Sequence, residues 1–125
     1  MEILKRTGTE DTPEIILDAD NKVMEISGRS LPEDVATFYE PIVSWLEEYA
    51  KDPDEETVFS FKLDYFNTAS SKVILDILVI FEEMIEEGNP VKVLWFYDQE
   101  DEDMMAAGLE YSDMVDVPIE MIAMT

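Results

Sequence analysis

Between Thr57 and Tyr97 a helical pattern lies between two strand-like runs, and that alternation restricts the chain's fold more than any other stretch. In Thr57 to Phe66, Phe59, Phe61, Leu63 and Tyr65 point to one side and Val58, Ser60, Lys62 and Asp64 to the other, the period of a strand. Asn67-Thr68-Ala69-Ser70-Ser71 then offers several capping side chains for a helix start. Gly88-Asn89-Pro90 stops that helix after Glu87. Val91 to Tyr97 is apolar on both faces, as expected of a central strand. A strand, a crossover helix and a second strand make a parallel pair with right-handed connection.

The rest of the chain extends this unit. Glu14 to Asp18 and Lys22 to Gly28 flank the turn residues Asp18-Ala19-Asp20-Asn21, so they read as a β-hairpin. Ser30-Leu31-Pro32-Glu33 has the spacing of a capping box, with Pro32 in the first turn. Val35, Phe38, Tyr39, Ile42, Trp45, Leu46 and Tyr49 follow at helical steps to about Lys51, with Pro41 inside the pattern at the cost of a hydrogen bond or a kink. A charged loop from Lys51 to Glu56 leads to the first strand of the central unit. Past Tyr97, Asp98 to Asp103 is an acidic loop or helix start. A shorter helix runs to about Met114, weakened by Gly108, and Val117 to Met124 forms a last strand. The expected architecture is α/β: an N-terminal hairpin, then alternating helices and strands, with the helices packed against a mixed sheet. At 125 residues this is one domain, 1–125, with residues 1–13 as a loose, Thr-rich lead-in.

Charge and missing residue types exclude whole classes of function. The chain carries 31 Asp plus Glu against 8 Lys plus Arg, a net charge of −23. Nucleic acid needs clustered cations, and an anionic membrane surface repels such a chain. With 46% apolar residues the acidity is not that of a disordered tail. No His and no Cys means no imidazole base, no Ser-His-Asp triad and no thiolate chemistry. No run approaches the ~20 apolar residues of a membrane helix, and the first residues lack the apolar stretch of a signal peptide. The expected location is the cytoplasm.

The loudest cluster, Asp98 to Asp103, fails as a calcium loop. Counted from Asp98, the sixth position is Asp103 and the twelfth Leu109, where Gly and Glu are needed. Paired carboxylates can do acid–base work, but among 31 acids such pairs arise by composition alone, and a solvated face explains them. The four glycines do not cluster, so there is no phosphate loop and no cofactor is expected. Trp45 and Trp95 read as core residues.

The Asn67–Ser71 segment says more. Thr68, Ser70 and Ser71 place hydroxyls where backbone N–H groups are free and the helix dipole is positive. Plain N-capping accounts for them, and the same place also accommodates a phosphate. In the helix that follows, Val73, Ile74, Ile77, Leu78, Ile80, Phe81, Met84 and Ile85 form a broad core face. Leu75 and Val79 fall instead within the polar arc. Thr68, Lys72, Leu75 and Val79, spaced four, three and four, share one side of the helix. Either another part of the chain covers Leu75 and Val79, or they form a docking surface with a switchable hydroxyl at its end.

These residues resemble a known family. Tyr65-Phe66-Asn67-Thr68-Ala69-Ser70-Ser71-Lys72, then Asp76-Ile77, Glu82-Glu83 and Gly88-Asn89-Pro90-Val91, is similar to the signature region of the SiaC-type regulatory phosphoproteins. Thr7-Gly8-Thr9 with Thr12-Pro13, Leu31-Pro32-Glu33 with Trp45, and Trp95-Phe96-Tyr97-Asp98 resemble further parts of it, so the likeness spans nearly the whole chain. The resemblance implies a fold like the anti-sigma-factor antagonist (STAS-like) domains and no enzymatic activity. It implies phosphorylation of Thr68, framed by Asn67, Ser70 and Ser71, by a partner Ser/Thr kinase, and reversal by a PP2C-type phosphatase. The unphosphorylated form then binds and activates a diguanylate cyclase in cyclic-di-GMP signalling. Lys72, Leu75 and Val79 are the expected partner-binding residues. The C-terminal third is more acidic than the family pattern, so the output partner is a cyclase or another output protein. Two alternatives belong to other classes: an anti-sigma-factor antagonist docking an anti-sigma kinase, and a carboxylate- and metal-dependent enzyme.

Overall fold

The hairpin forms where the turn residues stand. In a computed structural model that describes all 125 residues, β2 (Glu14–Asp18) pairs antiparallel with β3 (Val23–Ser30). The Asp18 carboxylate accepts from the Asn21 backbone N–H at 3.1 Å and from its side-chain amide at 2.7 Å. Those bonds, the side-chain one foremost, hold the carboxyl below its ordinary range. The lead-in expected to be loose holds one short strand. Leu4–Arg6 forms β1, antiparallel to β2, and the Trp45 indole N–H donates to the Glu2 carbonyl at 2.8 Å. A strand of three residues, Leu4-Lys5-Arg6, carries little sequence signal, because its pairing is made by a partner strand further along the chain.

Three crossovers follow. The helix α1 (Val35–Tyr49) leads to β4 (Thr57–Phe66), α2 (Thr68–Glu86) to β5 (Val91–Asp98), and α3 (Glu102–Met114) to β6 (Ile119–Met124). The six strands lie in chain order, β3 to β6 all parallel. Each crossover therefore steps in the same direction, and right-handed connections put all three helices on one face. Ile26, Phe59, Phe61, Val93 and Trp95 fill the core beneath them, against Tyr39, Leu46, Ile74, Ile77, Leu78 and Phe81.

The expected capping box is not the helix start. Ser30 is the buried last residue of β3, and α1 is capped by Asp34, which accepts from the Thr37 N–H at 3.1 Å and the Thr37 hydroxyl at 2.8 Å. That double bond depresses the Asp34 carboxyl's pKa. Pro41 lies inside an unbroken α1 and leaves the Thr37 carbonyl without its helical donor.

Two strand expectations also change. Tyr65 does not follow Phe59, Phe61 and Leu63 into the core; it is 46% exposed. Leu63 pairs with Gly28 but Tyr65 with Arg29, so Asp64 is an extra residue, and a bulge resets the alternation. Nor is β5 covered on both sides. Val91, Val93 and Trp95 are buried, whereas Lys92, Leu94 and Phe96 lie half-exposed on the face that no helix covers.

Candidate functional site

The junction from β4 to α2 is built to hold its backbone still. Asn67 caps α2, its side-chain carbonyl accepting from the Ser70 N–H at 2.8 Å, and its own N–H donates to the Ser30 carbonyl at 3.0 Å. Ser70 points inward and is fully buried. Its hydroxyl donates to the Ser30 carbonyl at 3.0 Å and lies 2.8 Å from the Ser30 hydroxyl, which meets the Tyr39 hydroxyl at 2.6 Å. Burial pushes the Tyr39 phenol's pKa up, and the Ser30 bond only partly offsets it, so the ring stays a neutral hydrogen-bonding group. This cluster ties α1, α2 and the end of β3 together.

The three hydroxyls of the junction thus have different fates. Ser70 is locked in the core. Ser71 donates back to the Thr68 carbonyl at 2.6 Å, while its own carbonyl accepts from the Tyr111 hydroxyl at 2.7 Å. Desolvation, with the Glu110 charge second, pushes the Tyr111 phenol up to about 12. Thr68 is exposed, and its hydroxyl takes no part in the bonds that fix its neighbours. The charge pattern also singles out this helix. Aspartates, Asp34 and Asp101, cap α1 and α3, and α3 has Glu102 and Asp103 in its first turn. The α2 start has a neutral cap and no acid in its first turn, within a chain of 31 acids. Its positive dipole end is uncompensated.

Beyond Thr68 the expected stripe is only partly covered. Lys72 is exposed, Leu75 half-buried and Val79 37% exposed. Ser71, Lys72 and Leu75 line one wall of a groove of about 270 Å³, and Phe66, Ala107, Glu110, Tyr111 and the largely exposed Met114 complete it. The groove wall from α3 was missed in the sequence. Met114, like Met105 and Leu109 outside the groove, breaks the apolar period of that helix, and only its exposure shows that it serves no core. A larger hollow of about 670 Å³ opens between Asp64 and the Asp98–Asp103 segment. Two of its carboxylates have backbone duties: Asp98 accepts from the Glu100 N–H at 2.9 Å, and Asp101 caps α3 through the Met104 N–H at 3.0 Å.

Known proteins share this fold. The profile of the SiaC family regulatory phosphoproteins matches residues 6–124. The chain belongs to that family. Apo-SiaC from Pseudomonas aeruginosa superposes with a TM-score of 0.91 at 28% identity, over 98% of this chain and 100% of that one. A SiaC-family likeness of the same strength, TM-score 0.91 and 29% identity over 97% and 99% of the two chains, is found in the crystal structure of the diguanylate cyclase SiaD in complex with its activator SiaC from the same organism. An uncharacterized protein of Pseudomonas aeruginosa is 29% identical over 93% of this chain and 92% of its own. The family resemblance and the mixed α/β fold expected from it are therefore borne out. As in the SiaC structures, one six-stranded mixed sheet carries three helices. No helix is long and apolar enough to cross a membrane.

Proposed function

We propose that this SiaC-family chain is a non-enzymatic, cytoplasmic switch whose state is the phosphorylation of Thr68. A Ser/Thr kinase adds the phosphate and a PP2C-type phosphatase removes it. The unphosphorylated form docks on and activates a diguanylate cyclase, as the Pseudomonas aeruginosa SiaC is named the activator of SiaD. One observation carries the reading: Thr68 is the free hydroxyl at the one helix start that has a neutral cap and no acid in its first turn, beside a part-apolar groove. Ser70 and Ser71, bonded into the junction, support the fold rather than accept the phosphate.

The switch works through local charge. A phosphate adds about −1.5 to −2 charges at the end of the Lys72–Leu75–Val79 stripe. Desolvating it against an apolar partner surface is costly unless that surface supplies Arg or Lys. The α2 N-terminus lets the chain carry the modification without unfolding, so affinity changes and the fold does not.

The test uses the full chain, the kinase and a diguanylate cyclase. Intact mass places one phosphate, removed by a PP2C phosphatase and absent in Thr68→Ala. Thr68→Glu keeps the circular dichroism of the parent and loses cyclase binding at least ~10-fold, about 1.4 kcal/mol. Phosphate on another residue, or Thr68→Glu binding as well as the parent, overturns the proposal.

A further inference from the structure

Parallel sheets ordinarily have both faces covered. Here β3 to β6 are parallel, and helices cover one face only. The bare face carries Val58, Leu94, Phe96 and Ile122 side by side on three adjacent strands, in the register Val58↔Lys92, Leu94↔Glu120 and Phe96↔Ile122. Val58 is 37% exposed, and the other three are half-buried, each less exposed than Val58.

The charge on this face differs from that of the rest of the molecule. By strand register, Lys5, Arg29, Lys62 and Lys92 lie on it, four of the chain's eight cations. Six carboxylates accompany them, Glu14, Asp18, Glu25, Asp64, Asp98 and Glu120. The face is thus only two charges from neutral in a chain at −23. Its charges are also internally matched. Lys62 bridges Glu25 at 2.6 Å and sits 4.8 Å from the centre of the Phe96 ring, Lys92 lies 3.6 Å from Glu120, and the Arg29 guanidinium stacks 5.6 Å from the Tyr65 ring centre.

We propose that this bare sheet face is a self-association surface, and that its occupant is the same face of a second copy. Charge decides the occupant. Two chains at −23 that meet through their helical layers set Glu82, Glu83, Glu86 and Glu87 against carboxylates of the other copy. Through the bare faces, related by a two-fold axis near Leu94 and Phe96, apolar meets apolar, and each Lys–Glu pair meets a neutral pair. A strongly basic partner, by contrast, gains most on the acidic helical side. Six strands about 4.8 Å apart and five or six residues long project roughly 400–500 Å². That is the scale of a weak, reversible contact. The arrangement leaves Thr68 and the α2–α3 groove uncovered on the opposite side, so it stands independently of the phosphorylation reading.

Sedimentation equilibrium of the full chain, from micromolar to millimolar protein and across a NaCl series, tests this. The expected result is a monomer–dimer equilibrium that tightens as salt rises, because screening weakens the repulsion of two like-charged chains. Phe96→Ser and, separately, Ile122→Ser weaken the dimer at least ~10-fold with unchanged circular dichroism, and Val79→Ser on the helical side leaves it intact. A chain that stays monomeric at millimolar concentration in high salt overturns the proposal. So does a dimer indifferent to both sheet variants, or one lost in Val79→Ser.

Discussion

At the residue scale, the same side chain often has two opposing effects, and magnitudes decide between them. Gly108 lies inside α3, where alanine is worth about 1 kcal/mol more than glycine in helix propensity. A methyl group there would stand 2.6 Å from the Trp95 ring and 2.8 Å from the Met121 side chain. Trp95 is buried and anchored by its indole N–H on the Met104 carbonyl at 3.0 Å, so it cannot turn aside cheaply. Overpacking of this kind costs about 1–3 kcal/mol. Gly108→Ala is therefore expected to lower stability by about 1 kcal/mol net, read as an earlier urea midpoint with unchanged slope; a stabilised variant would show that the helix shifts outward freely. In the sequence Gly108 reads only as a weak point of a helix, because the clash partner is a strand residue thirteen positions away. Ser30 shows the converse. Its capping spacing with Glu33 is genuine, yet its hydroxyl belongs to Tyr39 and Ser70, and contacts nine and forty residues away leave no local signature.

At the element scale, α2 was the most legible part of the chain because both its ends carry their own chemistry. Asn67 caps it, and Gly88 at φ +93° closes it in a Schellman turn, with Gly88 N–H on the Ile85 carbonyl and Asn89 N–H on the Met84 carbonyl, each at 2.9 Å. Asn67→Ala removes the acceptor for the Ser70 N–H and is expected to cost about 1 kcal/mol. It also loosens the segment that presents Thr68. Amide exchange at Ser70 and Ser71 should speed up beyond the global change, whereas equal protection in both proteins would mean that the Ser30–Tyr39–Ser70 cluster alone fixes the junction. The strands were less legible than the helices. The alternation in β4 is correct up to Leu63 and fails after it, because the bulge at Asp64 is set by β3 pairing and has no cue in β4 itself. In β5, apolar residues on both sides imply two covered faces, but whether a second layer exists depends on the direction of every crossover. The groove walls on α3 were hidden for the same reason.

At the scale of the whole molecule, the −23 charge is spread over a fold with few compensating contacts. Three ion pairs are present, of which Lys51–Glu48 and Lys92–Glu120 are largely solvent-exposed and worth little. Folding gathers the carboxylates into a smaller volume than the open chain, so self-repulsion opposes the native state. Salt has two opposite effects here: it weakens the few attractions and weakens the many repulsions. With 31 acids against 8 cations the second must prevail, and the melting temperature is expected to rise by several degrees between about 20 mM and about 500 mM NaCl, over which the screening length falls from roughly 20 Å to about 4 Å. Chloride is the right co-ion for the test, since sulfate strengthens apolar burial by exclusion and would raise the melting temperature for another reason. A flat or falling melting temperature would mean that the carboxylates are already held apart at native distances, with local pairs dominating. The sign also separates the two surfaces of the molecule. Docking of a cation-rimmed partner on the acidic helical side weakens with salt, while contact between two nearly neutral sheet faces of like-charged chains strengthens. One salt series on the free chain and on a mixture with the proposed cyclase partner therefore reports which side is engaged.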